Sequence, residues 1–326
     1  VIRIYNNTTE LSRICVSSAK ELGLSTEFDE VEEDLGSGSE SDEGCEGDRI
    51  PMLPRIASFS SVSSEEFSIP VESVYRVDRS ILYSSKLVME RRKLELKECN
   101  PEEVTQMILY KKKFPNNGSN RTPAAIVLYE CLTQICDTYK LTIEINFRAQ
   151  TKYNSEDKSH EKKLLELQGR LTEQWTKIGF QGKDPATDFR GMGMLGLDDL
   201  VYYAKNYRES SHYALESSYH TVSWYSFAIV GLNITSFALQ TLRTRQLQYF
   251  LFKYGIEKNV YHEFYCYLFH SFNEYWTTYD QSVITTMDFE WMFAQFKINI
   301  RKELMERRIT VLDETKNIFT QSKKIK

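Results

Sequence analysis

The 326 residues suffice for one large domain or two small ones, and 41% hydrophobic with 13% aromatic content is enough for a sizeable core. Seven prolines and fourteen glycines, clustered rather than spread, argue against many short strands joined by tight turns and for long helices. The net charge of −5 is uneven: Glu27 to Asp48 holds eleven acidic residues and no basic one, which leaves 41 basic against 35 acidic side chains elsewhere, a mild excess that gives no basis for nucleic-acid binding and suits an acidic protein partner or a membrane surface.

In chain order, residues 1–70 read as mostly unfolded. The stretch from Gly36 to Asp48 is glycine, serine and acid, and Ser58 to Ser68 is serine-rich, so neither buries enough apolar surface to offset chain entropy. The serines beside acids fit acidic-directed phosphorylation and equally an unmodified linker. From Val71 the pattern predicts a charged helix over Arg79–Cys99 ended by Asn100-Pro101, and a second over Glu102–Lys113. A third starts at Pro123, a favourable first-turn residue, and carries Ile126, Leu128, Leu132 and Ile135. Leu141 to Gln150 alternates apolar and polar residues like a strand, but no partner strand is near, and continued helix is the better reading. Helices follow over Lys158–Ile178 and Leu195–Tyr207, and one or two over Tyr225–Lys253. Over Tyr261–Asp280, residues Phe264, Leu268, Phe272, Tyr275 and Trp276 form one apolar face, and over Ile284–Arg308 the same role falls to Met287, Trp291, Phe296 and Ile300. The expectation is an all-α fold: one helical domain over 71–310, behind residues 1–70 and ahead of a basic tail, 311–326.

Cys15, Cys45, Cys99, Cys131, Cys136 and Cys266 form no CxxC pair and lie near no histidine at zinc-ligand spacing, so they read as small buried or free thiols of a reducing compartment. No signal peptide is evident, and Asn117 and Asn233, which begin Asn-x-Ser/Thr triplets, gain no weight without one. The apolar run Phe227–Leu239 is interrupted by Asn233 and Thr235 and is too short to span a bilayer.

The most informative stretch runs from Trp175 to Ala204. Gly179, Gly182, Gly191, Gly193 and Gly196 crowd into under twenty residues, which signals unusual backbone angles or close approach by another chain. Among them stands Arg190, flanked by Asp188, Phe189 and Gly191, with an amphipathic helix behind it. Gly191 to Gly196 fits GxGxxG, but no apolar strand precedes it and Glu209 falls too early for a ribose-binding acid, so dinucleotide binding is set aside. The absence of VAIK, HRD and DFG elements sets aside a kinase loop. Two readings of Arg190 stand: a side chain offered to a partner, or an ion pair with Asp188 or Asp184 that pins the loop. Gln181 could orient a partner or close the turn; Trp175, Phe180 and Phe189 read mainly as core; His262, His270, Asp198 and Asp199 read as structural or solvated.

This stretch resembles the signature of the ELMO domain, W-x3-G-F-Q-x3-P-x-T-D-F-R-G-x-G-x-L-G-L-x2-L-x-Y-F. It is met at Trp175, Gly179, Phe180, Gln181, Pro185, Thr187, Asp188, Phe189, Arg190, Gly191, Gly193, Leu195, Gly196, Leu197, Leu200 and Tyr202, and departed from at Tyr203, where phenylalanine is usual. Tyr225–Thr235 and Phe264–Trp276 look like the distal part of the domain, and the resemblance extends over about 80–308. It is strongest to the short ELMO-domain-containing proteins. It implies a GTPase-activating protein for Arf-like and Arf small GTPases, with Arg190 as catalytic arginine and with Asp188, Gln181, Gly191, Gly193 and Phe189 supporting the loop or meeting the partner. No cofactor is implied, since GTP and magnesium belong to the GTPase. The implied setting is cytoplasmic, at the cytosolic face of endomembranes, with peripheral membrane association. The competing implication is a non-catalytic scaffold, as in the longer ELMO proteins that partner Dock-type Rac exchange factors, whose motif lacks this arginine.

Overall fold

The computed structural model describes residues 10–24, 68–114, 122–172, 175–181 and 185–313, and gives only the backbone for residues 175, 176, 185, 186 and 190. The acidic run after Glu27, most of the serine-rich stretch, Cys45, Asn117, Gly182, Asp184 and the basic tail from 314 lie outside the described residues. Every regular element among the described residues is helical, as expected of an all-α chain. Two compact units divide it, Val1–Cys136 and Asp137–Lys326.

In the first unit, helix α1 (Glu10–Glu21) lies within the segment read as mostly unfolded, an ordered stretch that the sequence reading did not mark. Leu11, Ile14, Cys15, Ser18 and Ala19 recur at helical spacing and are all buried, so the segment has the apolar face that the acidic stretch after it lacks. It packs on α2 (Val71–Tyr83), whose Val74, Val77 and Ile81 are buried, and Ser18 Oγ donates to Ser73 Oγ at 2.6 Å between them. The single helix expected over Arg79–Cys99 is broken at Ser84. A 3-10 turn (Ser85–Leu87) follows, then α3 (Val88–Leu94). Side chains satisfy the break: Arg91 donates to the Leu82 carbonyl and Lys112 to Ser84 Oγ, and the buried Glu90 carboxylate pairs with Lys111 at 2.6 Å. Helix α4 (Pro101–Lys111) starts as read, with Asn100 Oδ1 accepting from the Glu102 and Glu103 N–H groups.

Helix α5 runs unbroken from Pro123 to Gln150, so Leu141–Gln150 is helix and not strand. The division between the units falls inside it. Cys99 and Cys136 are bonded to each other, which corrects the reading of all six cysteines as thiols; Cys15, Cys131 and Cys266 are buried and outside any disulfide. The two half-cystines are 37 positions apart, a separation that carries no local signal.

The second unit continues with α6 (Lys158–Leu171), which ends at Thr172, short of the expected Ile178, and a single turn, α7 (Trp175–Ile178). A 3-10 turn (Pro185–Gly191) leads into α8 (Gly193–Asn206). Then come α9 (Arg208–Ser218), which the sequence reading passed over, α10 (Phe227–Arg243), α11 (Gln248–Tyr254), α12 (Lys258–Thr278) and α13 (Phe289–Met305). Helix α8 is buried nearly all round and packs against α6, α9, α10 and α12. Beneath it the aromatic rings interlock. Tyr203 stacks on Phe269 at 5.0 Å, Phe227 meets Phe269 at 4.7 Å, and Phe272 touches Phe289, Phe293 and Phe296 edge-on. The face expected on α12 is present, with Phe264, Leu268, Phe272 and Trp276 fully buried. On α13 the face is rotated from the expected one: Met292, Phe293, Phe296 and Ile300 point inward, and Met287 and Trp291 are exposed. Among the described residues, no helix is long and apolar enough to cross a membrane.

Candidate functional site

The loop from Gly179 to Gly193 is held mainly through its backbone. Gly179 has φ +94°, and a Cβ there would stand 2.7 Å from Ser226 Oγ and 3.0 Å from the Phe227 nitrogen. Only glycine allows this approach to the start of α10, and Ser226 Oγ donates to the Gly179 carbonyl. Two residues on, the Gln181 N–H donates to Asp188 Oδ2 at 3.0 Å, which ties the entry of the loop to the 3-10 turn. Asp188 thus has a loop-holding role. The Gln181 side chain is exposed.

Phe189 lies in the core with none of its surface exposed. Its ring meets Phe180 edge-on at 5.4 Å and Tyr153 at 6.0 Å. It therefore anchors the turn, and its burial leaves no surface for a partner. Beyond it Gly193 has φ +51°, and a Cβ would fall 2.4 Å from the Thr151 carbonyl oxygen and 2.5 Å from that of Ala149. The start of α8 is pressed onto the end of α5, and the Met194 N–H donates to the Thr151 carbonyl at 2.8 Å. Gly191, by contrast, has open space where a side chain would stand. Residue 190 is thus fixed in position between a buried ring and a clamped helix start. Of Arg190 itself the backbone is described, within the 3-10 turn, and the ion pair read with Asp184 lies outside the described residues.

The helix behind the turn is stiffened by charge. Asp198 is almost fully buried and accepts two hydrogen bonds from Arg148, at 2.5 and 3.0 Å; Lys163 also bonds to it and Lys258 lies at 3.6 Å. Burial opposes its charge, but the hydrogen bonds from Arg148 and Lys163 outweigh that and hold its pKa at about 2. Asp199, with no surface exposed, bonds His262 Nδ1 at 2.6 Å; burial raises its pKa against that bond. Tyr202 stacks on His262 at 4.9 Å and donates to Glu263, which also accepts from Tyr207. The reading of Asp198, Asp199 and His262 as structural thus has specific partners behind it: they lock α8 to α5, α6 and α12. His270, hydrogen-bonded to Ser210, has its pKa lowered by burial. Sequence reasoning missed Arg148, Lys163 and Ser226, since their roles exist only once the helices are brought together.

These features define a class: an all-helical domain that carries a glycine-framed 3-10 turn, centred on one arginine position, on a charge-locked helix. Residues 143–293 match the family described as ELMO/CED-12. The chain is 30% identical over 256 residues to ELMO domain-containing protein 2 of Bos taurus, covering 74% of this chain and 86% of that one. It is 33% identical over 249 residues to the protein of the same name from Mus musculus, covering 72% and 83%. To ELMO domain-containing protein B of Dictyostelium discoideum it is 30% identical, covering 72% and 86%. No solved structure matches it. The chain belongs to the ELMO/CED-12 family.

Proposed function

We propose that this chain is a GTPase-activating protein for Arf-family small GTPases, Arf-like and Arf, and that Arg190 enters the GTPase's nucleotide pocket in trans. The observation that carries the reading is the position of Arg190 in a turn held on both sides, by the buried Phe189 ring and by Gly193 against the Thr151 carbonyl. Small GTPases hydrolyse GTP slowly because charge builds on the phosphate oxygens in the transition state. A guanidinium is always charged and bonds two oxygens at once. Supplied from outside, it accelerates hydrolysis roughly 10³- to 10⁵-fold, about 4–7 kcal/mol of barrier. Such a group must arrive already oriented, and a rigid support lowers the cost of orienting it. The attacking water and the magnesium ion belong to the GTPase, and this chain contributes no cofactor. The same reading places it at the cytosolic face of endomembranes, where such GTPases act.

The test is single-turnover GTP hydrolysis on a panel of Arf-like, Arf, Rac and Ras GTPases, with the wild-type chain beside Arg190→Lys. Acceleration of an Arf-family member, reduced at least a hundredfold by the lysine variant, is expected. Equal acceleration by both proteins ends the arginine role. No acceleration of any GTPase, with both proteins folded, leaves a non-catalytic scaffold in its place.

A further inference from the structure

In the second unit, large apolar side chains are exposed on segments that are hydrogen-bonded to one another. Tyr219 and Trp224 lie on the segment between α9 and α10, Met287 lies just before α13, and Trp291 lies in its first turn. Trp224 is 51% exposed, Trp291 59% and Met287 90%. Met287 and Trp291 are four residues apart, and Trp291 lies on the face of α13 away from Met292, Phe293 and Phe296. The segments are tied together. Thr286 Oγ1 donates to the Trp224 carbonyl at 2.8 Å, and the buried Trp276 ring donates to the Ser223 carbonyl at 2.9 Å.

The same segments are tied to the arginine turn. Tyr219 Oη donates to the Lys177 carbonyl, one residue before α7 ends. Ser226, two residues after Trp224, holds Gly179, and the Gln181 N–H beyond it holds Asp188. Two hydrogen bonds and a few residues therefore connect the exposed tryptophan to the turn of Arg190.

We propose that Trp224, Met287 and Trp291 form the docking surface for the same GTP-bound Arf-family GTPase that Arg190 serves, an inference that rests on the function proposed above. One arginine cannot hold a partner: a specific interface buries about 800 Å² on each side. Its centre is typically built on tryptophan, methionine and arginine anchors, which carry most of the binding energy. This surface supplies such anchors and is tied to the turn through Ser226 and Gly179, so a GTPase that rests on it also meets the loop that carries Arg190. That link to the turn selects the GTPase over a second copy of the chain or a lipid surface, neither of which needs anchors joined to the loop of Arg190.

The experiment uses the full chain as wild type, as Trp224→Ser with Trp291→Ser, as Met287→Ser and as Arg190→Lys. Each is titrated against an Arf-family GTPase loaded with a non-hydrolysable GTP analogue and assayed for single-turnover hydrolysis, and circular dichroism confirms folding. The surface variants are expected to raise Kd at least tenfold while reaching the wild-type rate at saturation. Arg190→Lys is expected to do the reverse. If Arg190→Lys still activates while the surface variants lose binding, the catalytic arginine fails and the docking surface stands. If the surface variants bind as wild type does, or the wild type binds no member of the panel, the docking inference is overturned. It is likewise overturned if those variants instead lose self-association in sedimentation, or binding to phosphatidylserine vesicles, with GTPase affinity unchanged.

Discussion

Helices α8, α10 and α12 are joined by interlocking rings, with Tyr203 of α8 and Phe227 of α10 both buried against Phe269 of α12. The turn that carries Arg190 is held by one ring, one carboxylate and two glycines at positive φ. In the first region many atoms share the load, so the loss of one is felt as a cavity. In the second, single contacts fix a backbone path, so the loss of one alters geometry more than stability. The chain thus separates what keeps it folded from what aims its site.

Substitutions can break or sharpen that contrast. The largest effect belongs to the rings: Phe269→Ala removes a fully buried side chain and is expected to cost about 4 kcal/mol in denaturant unfolding. If the loss is under about 1 kcal/mol, the rings are not the support claimed for them. Asp198→Asn comes next, at about 3 kcal/mol near neutral pH, because Arg148 and Lys163 lose a buried anion. Its pH dependence is specific. The folded pKa, about 2, lies below the usual 3.9, so the contribution is fully present above about pH 4 and is lost as the pH falls through 2. The asparagine variant should therefore lose less stability than wild type between pH 4 and 2, measured by acid titration of the circular dichroism signal.

Gly193→Ala follows, at about 2 kcal/mol, because the added carbon meets the Thr151 and Ala149 carbonyls in a left-handed conformation. Displacement of α8 from the end of α5 should appear as faster amide exchange at Met194, whose N–H bonds the Thr151 carbonyl. The smallest change in stability is expected from Asp188→Asn, about 1 kcal/mol or less, since the amide retains an acceptor for the Gln181 N–H. Its effect should fall on GTPase acceleration, which a catalytically silent turn would leave untouched.

Much of the fold was legible because its helices bury one face. The spacing of Phe264, Leu268, Phe272 and Trp276 gave α12, and the Pro123 start gave α5. Helix α9 was not legible: its buried residues include Ser210, Ser211 and Ser218, which do not read as apolar. Nor was the break at Ser84, which depends on Arg91 and Lys112 reaching it from elsewhere. Met287 and Trp291 misled because hydrophobicity alone does not say which side of a helix faces the core. At the site, the signature marked the positions but not their work. That Gly193 yields to the end of α5, and Gly179 to Ser226, is set by neighbours distant in the chain.

The bond between the Gln181 N–H and Asp188 has a consequence for how the loop tolerates change. At position 181 the loop uses a main-chain group that every amino acid but proline supplies, so its identity is unconstrained as far as the turn is concerned. At position 188 it uses a short side-chain acceptor that few residues can replace. Saturation mutagenesis scored for folding alone should thus find 181 permissive, with proline the exception, and 188 narrow. Any further preference for glutamine at 181 that emerges only under selection for activity would then measure a demand imposed from outside the molecule.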